Sequence, residues 1–276
     1  MKNVFCILFA VFFWINIAIA GNVDDRLPAT APEPLKAQTR AMIQSGIPND
    51  DAVKMTRAML QNQFELQHML QAQNIVMNAH QQGLPVKPIT DKAYEGMVKQ
   101  VRAAAIVRAM QNVRSRYAFA YSQAALLTQS SKDQKQLGNR LAASLSAGLN
   151  KEDAKRIMSQ LQERAQIMYQ TRAHALSVET LNMTRDMARL GVSSTETANG
   201  VSQALQQGYT AAKMKQIHNS FMSQARHGAA NDFAKSYFQA LRNGQGTPLP
   251  GVGHGGSGGQ GVSGSSGAGN GPGGRF

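Results

Sequence analysis

The placement of proline constrains this chain more than any other feature of its sequence. Six of its nine prolines precede Ile89, and the next one is Pro248. The long stretch between them is rich in Ala, Gln, Met, Leu and Arg, which are strong helix formers. Proline breaks helix interiors, and no run of alternating apolar and polar residues indicates strands, so the sequence predicts an all-α fold.

The spacing of apolar residues within this stretch agrees with helices. They recur every three to five positions along one stripe, which is the pattern of a helix with one apolar face. The first stripe predicts one long amphipathic helix or two nearly continuous ones, and it comprises Ile89, Ala93, Met97, Val101, Ala105, Met110, Val113, Tyr117, Tyr121 and Ala124. Shorter stripes are Ala154, Ile157, Leu161, Ala165 and Met168, and Met214, Ile217, Phe221 and Ala225. We therefore expect a bundle of amphipathic helices.

Three glycines precede matching apolar patterns. Gly46, Gly148 and Gly208 are each followed by apolar residues at offsets of one, six, nine and thirteen. The pattern is expected when a glycine ends one helix, the next residue docks the turn and a new helix begins. Two pairs have the spacing of caps at new helix starts, namely Asn150 with Asp153 and Ser193 with Glu196.

A second kind of element begins at Gly83 and at Gly191, each of which follows one of the glycines above. This order predicts a duplicated unit of helical hairpins. The two related halves are predicted to span residues 46–147 and 148–243. Residues 21–45 precede them as an N-terminal linker and helix start.

The beginning of the chain has the three parts of an export signal. Met1 and Lys2 form a positively charged start, residues 4–15 are almost wholly apolar, and Ala18 and Ala20 form a small-x-small cleavage site. The apolar part is shorter than the roughly 20 residues of a membrane span. We therefore expect residues 1–20 to be removed as a signal peptide. The mature chain, which has no further segment apolar enough to span a bilayer, is then exported to the periplasm or outside the cell.

The two ends of the chain also limit its chemistry. The single cysteine, Cys6, lies within the expected signal peptide. The mature protein therefore has no thiols for a disulfide framework or a thiolate metal site. Residues 244–276 consist mostly of glycine and serine, and they carry too little apolar surface to offset the cost of ordering their backbone. They are predicted to form a disordered tail.

A short block in the first half resembles a known kind of protein. The stretch Gly83-Leu84-Pro85 is followed by Lys92-Ala93-Tyr94-Glu95-Gly96-Met97-Val98-Lys99-Gln100-Val101 and then by Ile106. It resembles repeat segments of exported helical proteins of bacteria, in which a K-A-x-E-G-x-x-K-G-V block precedes a helix. Gln100 stands where that block has its second glycine. The resemblance implies an exported helical-repeat protein, and it implies no particular activity or site residue.

The charge distribution points to anionic partners. The chain has 29 Lys and Arg against 16 Asp and Glu, and no acidic residue occurs from Gly96 to Lys132. We predict that this segment contacts lipid headgroups, acidic polysaccharide or another protein of the cell envelope. A solvated face around a packed helix would have the same composition. No nucleic-acid motif accompanies the segment, so sequence-specific nucleic-acid binding is not expected. The predicted contact residues are Lys99, Arg102, Arg108, Arg114 and Arg116.

A copper site is the alternative function. Met214, His218 and Met222 are spaced four residues apart, which places two thioethers and an imidazole on one helix face. Such ligands suit Cu(I). However, Met214 occupies the same offset after its glycine as Ala52 and Ala154, and methionine packs readily into helical cores. The sequence therefore favours core packing, and no cofactor is predicted.

The sequence carries no recognisable catalytic motif. It contains no H-E-x-x-H metal site, no G-x-x-x-x-G-K-[ST] phosphate loop and no nucleophile elbow. Glu65, Glu95, Glu163 and Glu179 are candidates for acid catalysis only because they are glutamates on helices. We therefore predict an exported, non-catalytic binding or structural protein of the bacterial envelope, and no catalytic residue. Copper binding ranks second, and an envelope-active enzyme third.

The export signal gives a direct test. We expect the exported protein to begin at Gly21, as measured by intact mass or N-terminal sequencing. Ala20→Arg should leave residues 1–20 attached, because the cleavage site needs a small residue there. Ile19→Leu, at the tolerant middle position, is the matched control and should be cleaved normally. An exported wild-type protein that still carries residues 1–20 would contradict the prediction.

Overall fold

The computed structural model describes residue 23 and residues 25–225 and 230–243. Within these residues the chain forms eleven α-helices and no strand, which confirms the predicted all-α fold. The helices are α1 (Glu33–Gln44), α2 (Asn49–Gln61), α3 (Leu66–Gln81), α4 (Lys87–Val98), α5 (Ala103–Ala125), α6 (Ser131–Ala147), α7 (Lys151–Gln166), α8 (Gln170–Arg189), α9 (Ser194–Gln206), α10 (Ala211–Ala225) and α11 (Ala230–Arg242). None of the described helices is long and apolar enough to cross a membrane. The predicted signal peptide and tail lie outside the described residues.

The helices pack in two rows. In the first row α1, α3, α5, α6, α8 and α10 follow one another, each against the next. In the second row α2 packs on α4, and α7 on α9 and α9 on α11. Contacts such as those of α1 with α2, α8 with α9 and α10 with α11 join the rows. Stacked hairpins of this kind bury apolar faces that a single hairpin would leave exposed.

The alternation between the rows is interrupted once. The long helix α5 is followed directly by α6, and both lie in the first row. No second-row helix separates them, and no extensive packing joins α4 to α7. The interruption therefore lies near the middle of the described chain.

Buried apolar side chains form two main clusters that meet at α5. One is built from α1 to α5 and includes Leu35 and Met55, whereas the other is built from α5 to α11 and includes Leu141 and Phe221. The partly buried ring of Tyr117 on α5 packs against both clusters. Helix α6, from the predicted first half, packs within the second cluster. The relationship between two tandem halves therefore stays a prediction.

Seven turns between helices share one backbone geometry. At the first, Gly46 has a φ of 99°, its N–H bonds to the Ile43 carbonyl at 2.9 Å, and the Ile47 N–H bonds to the Met42 carbonyl at 3.2 Å. This pattern is the Schellman motif, in which a left-handed residue satisfies carbonyls at a helix end. The left-handed residues of the seven turns are Gly46, Gln63, Gly83, Gln100, Gly148, Gly191 and Gly208. The turns at Gly83 and Gly191 therefore do not differ in kind from the other three glycine turns.

Two of these turns contain glutamine, which a search for glycine misses. Gln63 and Gln100 have φ values of 54° and 53°. Gln100 stands where the block described above has its second glycine, and it adopts the left-handed conformation that favours glycine. The residues at offsets one, six, nine and thirteen after Gln63 are buried, as they are after the glycines, namely Phe64, Met69, Ala72 and Val76.

Most positions of the predicted apolar stripes face the core, whereas Val101 and Ala105 of the first stripe are exposed. The residues at the four offsets after Gly46, Gly148 and Gly208 are all buried, except for Tyr209, which is partly buried. The stripe predicted from Ile89 to Ala124 is divided between α4 and α5 by the turn at Gln100. Of the two alternatives for this stripe, two helices is therefore correct.

Both predicted helix caps are confirmed. Asn150 Oδ1 accepts a hydrogen bond from the Asp153 N–H at 2.8 Å at the start of α7. Ser193 Oγ accepts one from the Glu196 N–H at 3.2 Å at the start of α9. Each cap satisfies a backbone donor that the helix itself leaves without a partner.

The left-handed turns predict that two substitutions change the free energy of unfolding in opposite directions. Gly83→Ala should lower the free energy of unfolding by about 1 kcal/mol, because a side chain disfavours this backbone even though nothing lies within 4 Å of an added Cβ. Gln63→Gly should raise it by up to about 1 kcal/mol for the same reason. Urea unfolding measures both.

Gln71→Gly, at an exposed position inside α3, is the control and should lower stability by about 1 kcal/mol. Effects of the same sign at Gln63 and Gln71 would show that Gln63 is not held in the left-handed conformation.

Candidate functional site

A cavity of about 650 Å³ lies between α4, α5 and α6, at the interruption of the second row. The end of α8 completes its wall. The cavity combines an apolar surface with a charged one. The apolar part of the wall comprises Pro88, Val113, Tyr117, Ala142, Ala143 and Ala147. The charged part comprises Asp91, Lys92, Glu95, Arg116 and Arg189.

The two carboxylates of this wall are already paired with lysines. Asp91 Oδ2 lies 2.7 Å from Lys87 Nζ. Glu95 accepts hydrogen bonds from Lys92 at 2.8 Å and from Lys99 at 2.6 Å. These two hydrogen bonds lower the pKa of Glu95 to about 2, and the bond from Lys92 has the larger effect. Glu95 therefore stays ionised at neutral pH, with its charge balanced.

The two arginines of the wall lack such partners. Arg116 forms no ion pair with any residue in the described part of the chain. Arg189 Nη1 lies 3.9 Å from Asp186 Oδ1, but that carboxylate is held by Arg185, whose Nε and Nη2 donate to it at 2.8 and 3.0 Å. Two guanidinium groups at the cavity can thus bind an added anion.

The apolar wall determines what else the cavity accepts. The alanines of α6 leave room beside the ring of Tyr117. Burial raises the pKa of the Tyr117 phenol, and the nearby charge of Arg116 opposes this shift only in part. The phenol is therefore neutral at physiological pH, and the wall carries no negative charge beyond the two paired carboxylates.

The other basic residues predicted from the sequence do not share one face with Arg116. Lys99 lies in the turn after α4, within the ion pair described above, and Arg102 immediately precedes α5. Arg114 and Arg116 leave α5 about 160° apart, because a helix turns about 100° per residue. Arg108 is exposed on the side of α5 away from the core. The structure thus brings only Arg116, of the predicted set, to the cavity.

The three residues of the alternative copper site have different surroundings. Met214 is fully buried in the second core cluster, and the partly buried Met222 packs against that cluster. His218 Nε2 lies 3.2 Å from Asp186 Oδ2, a close but poorly aligned contact. No group of three or more His, Cys, Asp or Glu side chains within the described residues could hold a metal ion. Copper binding stays a prediction.

Comparisons of this chain with protein-family models, with curated proteins and with solved structures find no match. The resemblance to exported helical-repeat proteins therefore stays a prediction. The function proposed below rests on the geometry and the sequence of this chain.

The sequence pattern points to Arg116 but not to Lys92 and Arg189, the other cations of the cavity wall. The acid-free segment points to Arg116, but it gives no sign that Lys92 and Arg189 face the same cavity. Arg189 is distant in sequence and reaches the cavity only because α8 packs on α6. No local pattern of residues encodes that contact.

The lysine pair predicts the behaviour of Glu95. Lys92→Met should raise the pKa of Glu95 from about 2 towards 4.5, because it removes the strongest hydrogen bond to the carboxylate. Added salt should weaken the exposed ion pair between Lys92 and Glu95 in the wild-type protein. Carboxyl NMR during an acid titration measures the shift, and Lys36→Met, far from Glu95 in sequence and in α1, is the control. An unchanged pKa in Lys92→Met would show that the pair does not persist in solution.

Proposed function

We propose that this chain is an exported, non-catalytic helical binding protein of the bacterial cell envelope, and that its partner is anionic. The observation that carries this proposal is the pair Arg116 and Arg189 at the wall of the 650 Å³ cavity. The carboxylates of the same wall are occupied by lysines, so the arginines have no strong competitor within it.

Binding fits this cavity better than acid catalysis. A general acid needs a pKa close to the ambient pH, and enzymes raise the pKa of a glutamate by burying it in apolar surroundings. Glu95 has the opposite environment, since two lysines lower its pKa to about 2. It carries no proton to donate at neutral pH.

The chemistry of the wall limits the class of partner. A guanidinium group has a planar fork of N–H donors that matches carboxylate and phosphate groups. The alanines and Tyr117 provide an apolar surface for the carbon atoms next to such a group. Lipid headgroups, acidic polysaccharides and acidic groups of another envelope protein have both features. The signal-like pattern of residues 1–20 supports a location in the envelope.

Vesicle binding tests this function. The full mature chain should sediment with vesicles that contain phosphatidylglycerol, or bind alginate, at low salt, and both interactions should weaken as salt screens the charges. Neutral phosphatidylcholine vesicles should bind weakly. Arg116→Ala with Arg189→Ala should reduce binding about tenfold or more, because hydrogen bonds to charged groups are lost.

Arg108→Ala is the matched control, since it removes the same charge from the same helix on the side away from the core. It should retain binding within about twofold. Equal losses in the two variants would show that diffuse surface charge, and not the cavity, holds the partner. No binding of the wild-type chain to either anionic material at low salt would contradict the proposed function.

A further inference from the structure

A second candidate binding site lies on α6, α8 and α10, apart from the cavity described above. Two surface cavities, of about 340 and 400 Å³, are both lined by these helices. Glu179 and Lys215 lie in the walls of both, so the two cavities adjoin, and together they are called the groove below. Along α8 the groove extends from His174 to Asp186, which is about 18 Å at 1.5 Å per residue. It shares no lining residue with the 650 Å³ cavity.

Two cations in this groove are not paired with carboxylates. Arg140 Nη1 donates to Asn182 Oδ1, and its buried Nε has no acceptor. Neither Arg140 nor Lys215 forms an ion pair with any of the residues that the structure describes. The groove wall has two carboxylates, Glu179 and Asp186, and of these Glu179 forms no ion pair with the described residues. The groove thus has spare positive charge beside a single unpaired acid.

Asp186 does not neutralise those cations, because it is engaged elsewhere. It accepts both hydrogen bonds of the Arg185 fork. Burial alone would raise the pKa of Asp186, but Arg185, His218 and Arg189 together bring it below its usual value. The pairing of Asp186 with Arg185 is therefore stable near neutrality.

The remaining wall suits a peptide backbone. Gln136, Asn182 and Asn219 present carboxamides, which carry donors and an acceptor as a peptide group does. The oxygens of Gln136 and Asn182 already bond His174 Nε2 and Arg140 Nη1, so these two side chains offer a peptide mainly their N–H groups. Alanines line the first of the two cavities, so a backbone can approach closely. Neither cavity has a Phe, Tyr or Trp side chain in its wall, and each has a single histidine ring, whereas single-stranded nucleic acids are held largely by stacking on several aromatic rings. Glu179 also disfavours a polyanionic backbone.

We propose that this groove binds an extended segment of another protein, about five residues long, with an acidic side chain held by Arg140 and Lys215. The length follows from the 18 Å of the groove and about 3.3 Å per extended residue. The repeated helices supply the surface, as stacked hairpins do for long ligands. The site is separate from the cavity of the proposed function, and each can be tested without the other.

A phage-displayed library of random heptapeptides, panned against the full mature chain, tests this proposal. Selected peptides should be enriched in Asp or Glu at one or two positions. As labelled synthetic peptides measured by fluorescence anisotropy, they should bind Arg140→Ala with Lys215→Ala at least tenfold more weakly than wild type. Arg116→Ala alone is the control and should bind them within twofold, because Arg189 lies near Asp186 of the groove wall and is left in place. Because Arg140 is partly buried, the exposed Lys215→Ala alone is the second variant, and it should lose about threefold or more.

Three results would overturn the proposal. The first is a library that yields no acidic enrichment over a blank surface. The second is selected peptides whose affinity is unchanged in both Lys215→Ala and the double variant. The third is a loss of affinity confined to the control, which would place the peptide in the 650 Å³ cavity instead. None of these results would alter vesicle binding through Arg116 and Arg189, so failure of this proposal is distinguishable from failure of the proposed function.

Discussion

The left-handed turn that ends seven of the helices is the constraint on which the rest of the structure depends. Each turn satisfies carbonyls at the helix end and places the following side chain against the core. Ile47, Phe64, Leu84, Leu149 and Val192 are buried at this position, and Tyr209 packs partly. Because the turn fixes how one helix follows another, the apolar stripes of successive helices meet. Val101, which is 42% exposed in the turn before α5, is the exception.

The candidate binding cavity lies where this regular packing is interrupted after α5. A Cβ on Gly138 would collide with the ring of Tyr121, so glycine is what allows α6 to lie directly against α5. These two helices follow one another in the first row, and no second-row helix lies between them. Arg116 of α5 and Arg189 of α8 both line the resulting cavity. The charged groups of the cavity wall therefore lie where the packing of apolar helix faces is interrupted.

Some of the structure leaves no recognisable trace in the sequence. Gln73 Nε2 donates to Thr39 Oγ1 and to Thr56 Oγ1, each at 2.9 Å, and each hydroxyl donates to a carbonyl of its own helix. This fully buried network joins α1, α2 and α3. Each bond adds only about 1 kcal/mol, and Gln73 Oε1 is buried without a hydrogen-bond partner, so the network adds little net stability. It favours one alignment of the three helices, because any other alignment would leave more buried groups unsatisfied. The polar residues are unremarkable in the sequence, because each is one among many threonines and glutamines.

The sequence by itself determined the fold class, the helix ends at Gly46, Gly148 and Gly208, the two helix caps and most of the apolar faces. These features depend on neighbours within about a dozen residues, through helix propensity, periodicity and the conformational freedom of glycine. It did not reveal the glutamine turns at Gln63 and Gln100, because a non-glycine residue becomes left-handed only when surrounding packing favours it. The tertiary structure alone decided which cations meet. The acid-free segment pointed to Arg116, but Arg189 reaches the same cavity, and Arg140 and Lys215 line the same groove, only through packing between helices distant in sequence. That packing depends on the shapes of whole helix faces.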